Sequence, residues 1–119
     1  MTFLSRNLGK PEEIRKFTNG ELGVVTVSGT IVGRAVFQPG WRWSNDVKPI
    51  AGTESCEAAH TGYIISGQMH VTMDDGVEGD LGAGDAFVIS PGHDAWIVGD
   101  EPCVALDWSA AGDFAKPAE

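Results

Sequence analysis

Gly84-Asp85-Ala86-Phe87-Val88-Ile89-Ser90-Pro91-Gly92 reads as a turn, an apolar strand of four residues and a second turn. Glycine suits the turn positions, where the backbone needs positive φ, and the apolar strand between must pack against a facing sheet. The same punctuation continues on both sides. Upstream, Gly62 to Ile65 and Gln68 to Met73 flank Ser66-Gly67, and Asp74-Asp75-Gly76 precedes Val77 to Leu81. Downstream, Ala95 to Val98 and Val104 to Trp108 are two more strands. Nearer the N-terminus, Gly23 to Val27 and Thr30 to Phe37 are rich in Val, Ile and Thr and form a hairpin about Ser28-Gly29. Strands at roughly 8–12-residue spacing, with no helical crossovers, indicate an all-β sandwich or closed barrel.

Gln38-Pro39-Gly40 is a turn, and Trp41-Arg42-Trp43 then places two indoles on one face of an extended segment. Asn45 to Cys56 reads as a loop. Glu12 to Phe17, after Pro11 and before Asn19-Gly20, reads as one or two helical turns. The expected organisation is an N-terminal arm over residues 1–20, a barrel over 21–109 and a flexible C-terminal tail over 110–119.

A chain of 119 residues fits one domain, and 16 Gly with 6 Pro suit short strands joined by tight turns. Eight Lys and Arg against 17 Asp and Glu leave a formal charge of −9, which repels phosphate backbones and anionic bilayers. Neither nucleic acid nor a membrane is therefore an expected partner. Without a signal-peptide pattern or a disulfide framework, the expected location is the cytoplasm, with Cys56 and Cys103 as free thiols.

Two segments together resemble the signature motifs of the cupin superfamily of small jelly-roll barrels. Gly84 to Gly92 resembles the second motif, and Gly62-Tyr63-Ile64-Ile65-Ser66-Gly67-Gln68 resembles the end of the first. The chain is more specifically similar to small single-domain bacterial cupins sharing Pro-Gly-Trp-Arg-Trp-Ser, here Pro39 to Ser44, and Pro-Gly-His-Asp-Ala-Trp, here Pro91 to Trp96. That resemblance implies an all-β cupin jelly-roll barrel of two antiparallel sheets, a homodimer, and no assigned activity. In metal-binding cupins the first motif supplies two His and a Glu and the second one more His. Here the Glu position, seven residues before Gly67, is His60, and the last His position is Ala95. The remaining pair falls at Glu54 and Cys56, or is replaced by Trp41 and Trp43 if the intervening loop is an insertion.

Two readings of the site follow. The first is a small-molecule pocket in the barrel, lined by Trp41, Trp43, His60, His93 and Trp96, because indoles offer flat apolar walls and one N–H donor each. Its structural alternative is that these Trp fill the core, as Trp108 is expected to do. The second is a metal-dependent enzyme of isomerase, cyclase or dioxygenase type, with Cys56, His60 and His93 holding one Zn or Fe ion and Glu54 or Glu57 as a further donor. Its alternative is a pocket that needs no cofactor. His70 is expected on a strand, half-exposed, and Asp94 is expected on the face opposite His93. A regulatory or purely structural module is the third class.

Overall fold

The computed structural model describes residues 2–116. Within them lie nine strands: β1 (Glu13–Phe17), β2 (Gly20–Val27), β3 (Thr30–Phe37), β4 (His60–Ser66), β5 (Gln68–Met73), β6 (Glu78–Gly82), β7 (Ala86–Ile89), β8 (His93–Ile97) and β9 (Cys103–Asp107). They form a six-stranded sheet, in the order β1-β2-β3-β9-β4-β7, and a three-stranded sheet, β6-β5-β8, with neighbours antiparallel. The turn pattern predicts such an all-β architecture, and the resemblance to cupins implies its jelly-roll form.

The two-residue period of a strand decides what lies between the sheets. Leu22 and Val24, Ala35 and Phe37, Cys103 and Ala105, and Ile64 face inward from the large sheet, and Met69, Val71, Ala95 and Ile97 from the small one. The same parity turns His60, Asp107 and His93 toward the interior at one end of the barrel. No helix among the described residues is long and apolar enough to cross a membrane.

Three segments differ from the sequence expectation. Glu13–Phe17 is a strand, paired with β2 from Glu13 against Val24 to Phe17 against Gly20. Asn19, at φ 63, makes the turn, so a free sheet edge overrides the local helical preference. Trp43–Asp46 (α1) and Lys48–Ala51 (α2) are short helices in place of a strand end and a loop. Ser44 N donates to Asp94 Oδ1 at 3.0 Å and Arg42 N to Asp46 Oδ2 at 3.0 Å, which satisfies amides at the start of α1. Trp41 and Trp43 are both buried nonetheless, each 2% exposed.

The third difference is at the C-terminus, where residues 110–116 fold over the barrel as a cap instead of trailing from it. Asp107 Oδ1 accepts from Ser109 N and Ala110 N, at 2.9 and 2.7 Å. The buried guanidinium of Arg15, paired with Glu13, donates to the carbonyls of Ala111, Gly112 and Phe114 at 2.7, 3.1 and 2.8 Å. Three backbone acceptors are thus held by one side chain from β1, and Ala111 and Phe114 of the cap are buried against the barrel. Residues 117–119 of the expected tail lie outside the described residues. Trp108, expected in the core, is 45% exposed because the chain leaves β9 there.

Candidate metal centre and its cavity

Cys56 precedes β4, yet its backbone is paired with the start of β8: Cys56 N donates to His93 O at 2.7 Å, and Gly92 N donates back to Cys56 O at 2.7 Å. That bridge ties the end of the small sheet to the approach to β4. It brings the Cys56 thiol, His60 on β4 and His93 on β8 together, with one donor atom from each lying within 4.8 Å of the others. The imidazole rings of His60 and His93 are 5.2 Å apart.

The outer nitrogen of each imidazole is already committed. His93 Nδ1 lies 2.8 Å from the carbonyl oxygen of Ser90 and must donate to it, because a carbonyl only accepts. His60 Nδ1 donates to Asp107 Oδ2 at 2.5 Å. When neutral, each ring leaves Nε2 as a lone pair, the arrangement typical of metal-ligating histidines with carboxylate and carbonyl partners behind them. The Cys56 Sγ to His60 Nε2 distance is 3.7 Å. A tetrahedral zinc ion with ordinary Zn–S and Zn–N bonds spaces such a pair about 3.6 Å apart. Donor chemistry, tautomers and this spacing together fit a thiolate-tolerant divalent transition metal.

In the metal-free protein the thiol and the His60 imidazole shift one another. Burial works against the Cys56 thiolate, but hydrogen bonds from His60 and His93, with their charges, outweigh it and bring the thiol down to about 6. Burial likewise opposes the His60 imidazolium, but Asp107 and Cys56 raise it to about 9. Burial would push Asp107 up as well, yet the bonds from His60 and from Ala110 and Ser109 N hold it below its ordinary value. Cys103, buried without such partners, is pushed up to about 11.

These shifts define a pH window for the metal-free protein. The depressed Cys56 thiol contributes stability above its ordinary value, which is lost as pH falls through about 6. The raised His60 contributes fully below its ordinary value of 6.5, and that contribution is lost as pH rises through about 9. The ultraviolet absorbance of thiolate in metal-free protein is therefore expected to rise with a midpoint near 6. A single rise near 9 or above would show that Cys56 lacks its imidazole partners.

Beyond the three donors is a cavity with about 50 Å³ of room for water-sized molecules, walled mainly by apolar side chains such as Phe37, Trp41, Met69, Ile89, Ala95 and Phe114. Trp41 packs on Phe37 at 4.3 Å between ring centres, and Phe114 closes the cavity edge-on to His60 at 5.5 Å. Trp43, Cys56 and Phe114 also border a larger outer cleft of about 350 Å³ beside the cap.

The expected site residues thus separate. Cys56, His60 and His93 converge, and Trp41 and Trp43 wall the cavity. Trp96 is not among the lining residues: it takes the opposite parity to Ala95, where Arg42 stacks 4.2 Å over its ring and His70 lies 4.6 Å away. Glu54 is exposed and paired with Lys48, and the Glu57 carboxylate accepts from Ser55. His70 bonds to Asp80 at 2.7 Å, and Asp94 holds α1, not His93. Asp107 and Phe114 were not anticipated. The only sequence signal for Asp107 was its parity with Cys103 and Ala105 on the last strand.

The family profile described as a cupin domain matches residues 50–109, half of the chain. The chain belongs to the cupin family. No curated protein matches this cupin. Among solved structures, it is similar to a protein of unknown function (DUF1255) from Acidithiobacillus ferrooxidans, with 21% identity and a TM-score of 0.61 over 83% of this chain and 88% of that one. An RmlC-like cupin from Shewanella frigidimarina shares 20% identity with a TM-score of 0.55, over 82% and 84% of the two chains. The oxalate decarboxylase of Lactobacillus farciminis shares 19% identity with a TM-score of 0.58 over 89% of this cupin, which spans 31% of the decarboxylase chain. At these identities the likeness establishes the fold alone.

Proposed function

We propose that this cupin is a metal-dependent enzyme acting on a small molecule, with Cys56, His60 and His93 holding one Zn²⁺ or Fe²⁺ ion at the closed end of the barrel. The convergence of three donors on an otherwise apolar cavity carries the reading. A set of thiolate and imidazoles selects zinc or iron over magnesium or calcium, which take oxygen ligands. When bound, such an ion supplies a Lewis acid at its open position.

The chain's own groups prepare that position. Asp107 orients His60 and keeps its proton on Nδ1, and the Ser90 carbonyl does the same for His93. The apolar walls keep water out and hold the local dielectric low, which strengthens each charge interaction inside. Phe114 and the cap cover the cavity, so a substrate enters from the outer cleft past that ring. The volume restricts what fits, since pockets for drug-sized molecules run to about 300–1,000 Å³. A phosphorylated substrate is disfavoured, because no Lys or Arg among the described residues lines the cavity.

A second reading is favoured by one observation. Cys56, His60 and Asp107 lie in line as a nucleophile, a base and an orienting carboxylate, the order of a metal-free thiol hydrolase. Elemental analysis separates the two. Protein purified without a polyhistidine tag is expected to carry about one zinc or iron per chain, lost in His60→Ala. Metal-free wild-type protein after zinc loading and dialysis would leave only the thiol relay.

A further inference from the structure

Residues 111–116 meet the barrel through side chains and not through a sheet. Among the described residues, the backbone–backbone bonds of this segment stay within the cap: Asp113 N and Phe114 N donate to Ala110 O, and Lys116 N donates to Asp113 O. The chain just before it is pinned. Trp108 N donates to Thr61 O at 3.1 Å, Ser109 Oγ to Ala59 O at 2.8 Å, and Ser109 N and Ala110 N to Asp107 Oδ1. A fixed base at Ala110 thus carries a short segment with no strand partner, the kind of element that opens locally at low cost.

Three contacts hold that segment down. The five guanidinium N–H donors of Arg15 are all engaged, two with Glu13 and three with the carbonyls of Ala111, Gly112 and Phe114. Ala111 sits over Gly33 of β3, where a Cβ would lie 2.8 Å from the Ala111 methyl and 2.7 Å from a Leu22 methyl, so the missing side chain leaves a seat. Phe114 stands edge-on to Phe17, Phe37 and His60, at 6.0, 6.4 and 5.5 Å between ring centres. Trp43, Cys56 and Phe114 border both the inner cavity and the outer cleft, and Cys56 is only 3% exposed while the segment is down.

We propose that residues 111–116 are a hinged lid, latched by Arg15 and seated on Gly33, whose opening joins the inner cavity to the outer cleft and gives ligands access to Cys56, His60 and His93. The lid governs passage whether or not a metal is bound, so the metal reading can fail while the lid stands. A ligand too large for the inner cavity reaches the three donors only in the open form, where the cleft of about 350 Å³ limits its size.

Labelling of metal-free protein with N-ethylmaleimide tests it, with peptide mass spectrometry separating the two cysteines. Cys103, fully buried in the core, reports global unfolding. Lid opening exposes little surface, so the Cys56 rate is expected to stay nearly flat at low urea concentrations while the Cys103 rate rises steeply. Arg15→Met strips the three carbonyls of their donor in the closed form, whereas water satisfies them in the open one. It is expected to speed Cys56 labelling about tenfold or more, with the flat urea dependence retained. A wild-type Cys56 rate that climbs with urea as steeply as that of Cys103 overturns the lid, as does a Cys56 rate that Arg15→Met leaves unchanged. If Arg15→Met fails to fold, Gly33→Ala, which blocks the seat and keeps the latch, carries the same expectation. If neither variant folds, the urea slope of wild-type protein decides alone.

Discussion

Gly62→Ala is expected to leave the barrel largely unfolded, the largest loss of stability foreseen for any single substitution here. Gly62 sits on β4 opposite Asp107 of β9 and Phe87 of β7. A Cβ at this position overlaps the Leu106 carbonyl oxygen and meets the Phe87 ring at 2.8 Å. The obstruction is backbone inside a paired sheet, so relief requires β4 and β9 to separate, and those strands carry His60 and Asp107. The cost is expected to exceed about 4 kcal/mol, against a typical total of about 5–15 kcal/mol for a domain. Urea denaturation followed by circular dichroism measures it. Gly79→Ala, where an added Cβ meets nothing within 4 Å, is the control and is expected to stay close to wild type. Equal stability of the two variants would contradict the β4–β9 packing described.

Asp107→Asn tests the site while leaving the fold in place. The two side chains have nearly the same shape, and Asn Oδ1 still accepts from Ser109 N and Ala110 N, so the cap's first turn survives. What changes is the partner of His60. An amide carries no charge to hold His60 above its ordinary value, and an amide NH₂ turned toward Nδ1 drives the ring proton to Nε2, the atom that must be free to ligate. Loss of a carboxylate behind a ligating histidine typically weakens metal binding about 10–100-fold. Competition for zinc against a chromophoric chelator is expected to show a loss in that range, and the metal-free variant also loses the stability that the raised His60 contributes near neutral pH. Unchanged zinc affinity would mean that Asp107 serves the cap alone.

The barrel was legible in the sequence because its turns are written in glycine and proline. Ala86–Ile89 stands where the flanking Gly-Asp and Pro-Gly turns put it, and Gln68–Met73 follows the turn at Gly67. His60 was legible by spacing from Gly67, and His93 by sharing parity with Ala95. That same parity placed Trp96 on the opposite face, where Arg42 covers it. β1 was missed because a free sheet edge, not local propensity, decides its conformation. The α1 turn was missed because the carboxylate that supports it, Asp94, is 50 residues away. The cap could not be read locally either, since Ala111 and Phe114 are held by Arg15 across 96 and 99 residues. Cys56, His60 and His93 were named as one candidate set and do converge, but Asp107 was one of many acidic residues until β9 was seen to deliver it beside His60.

Loading with Co²⁺ tests for a thiolate-ligated metal centre directly. Loading metal-free protein with one equivalent of Co²⁺ is expected to produce an intense near-ultraviolet sulfur-to-metal charge-transfer band, with visible bands typical of a four-coordinate ion, from Cys56, His60 and His93. Cys56→Ser is expected to abolish the charge-transfer band, and Cys103→Ser, at the opposite end of β9 from Asp107 and outside the donor cluster, to leave it intact. Cobalt that shows no charge-transfer band in wild-type protein, or a band that persists in Cys56→Ser, would contradict the account.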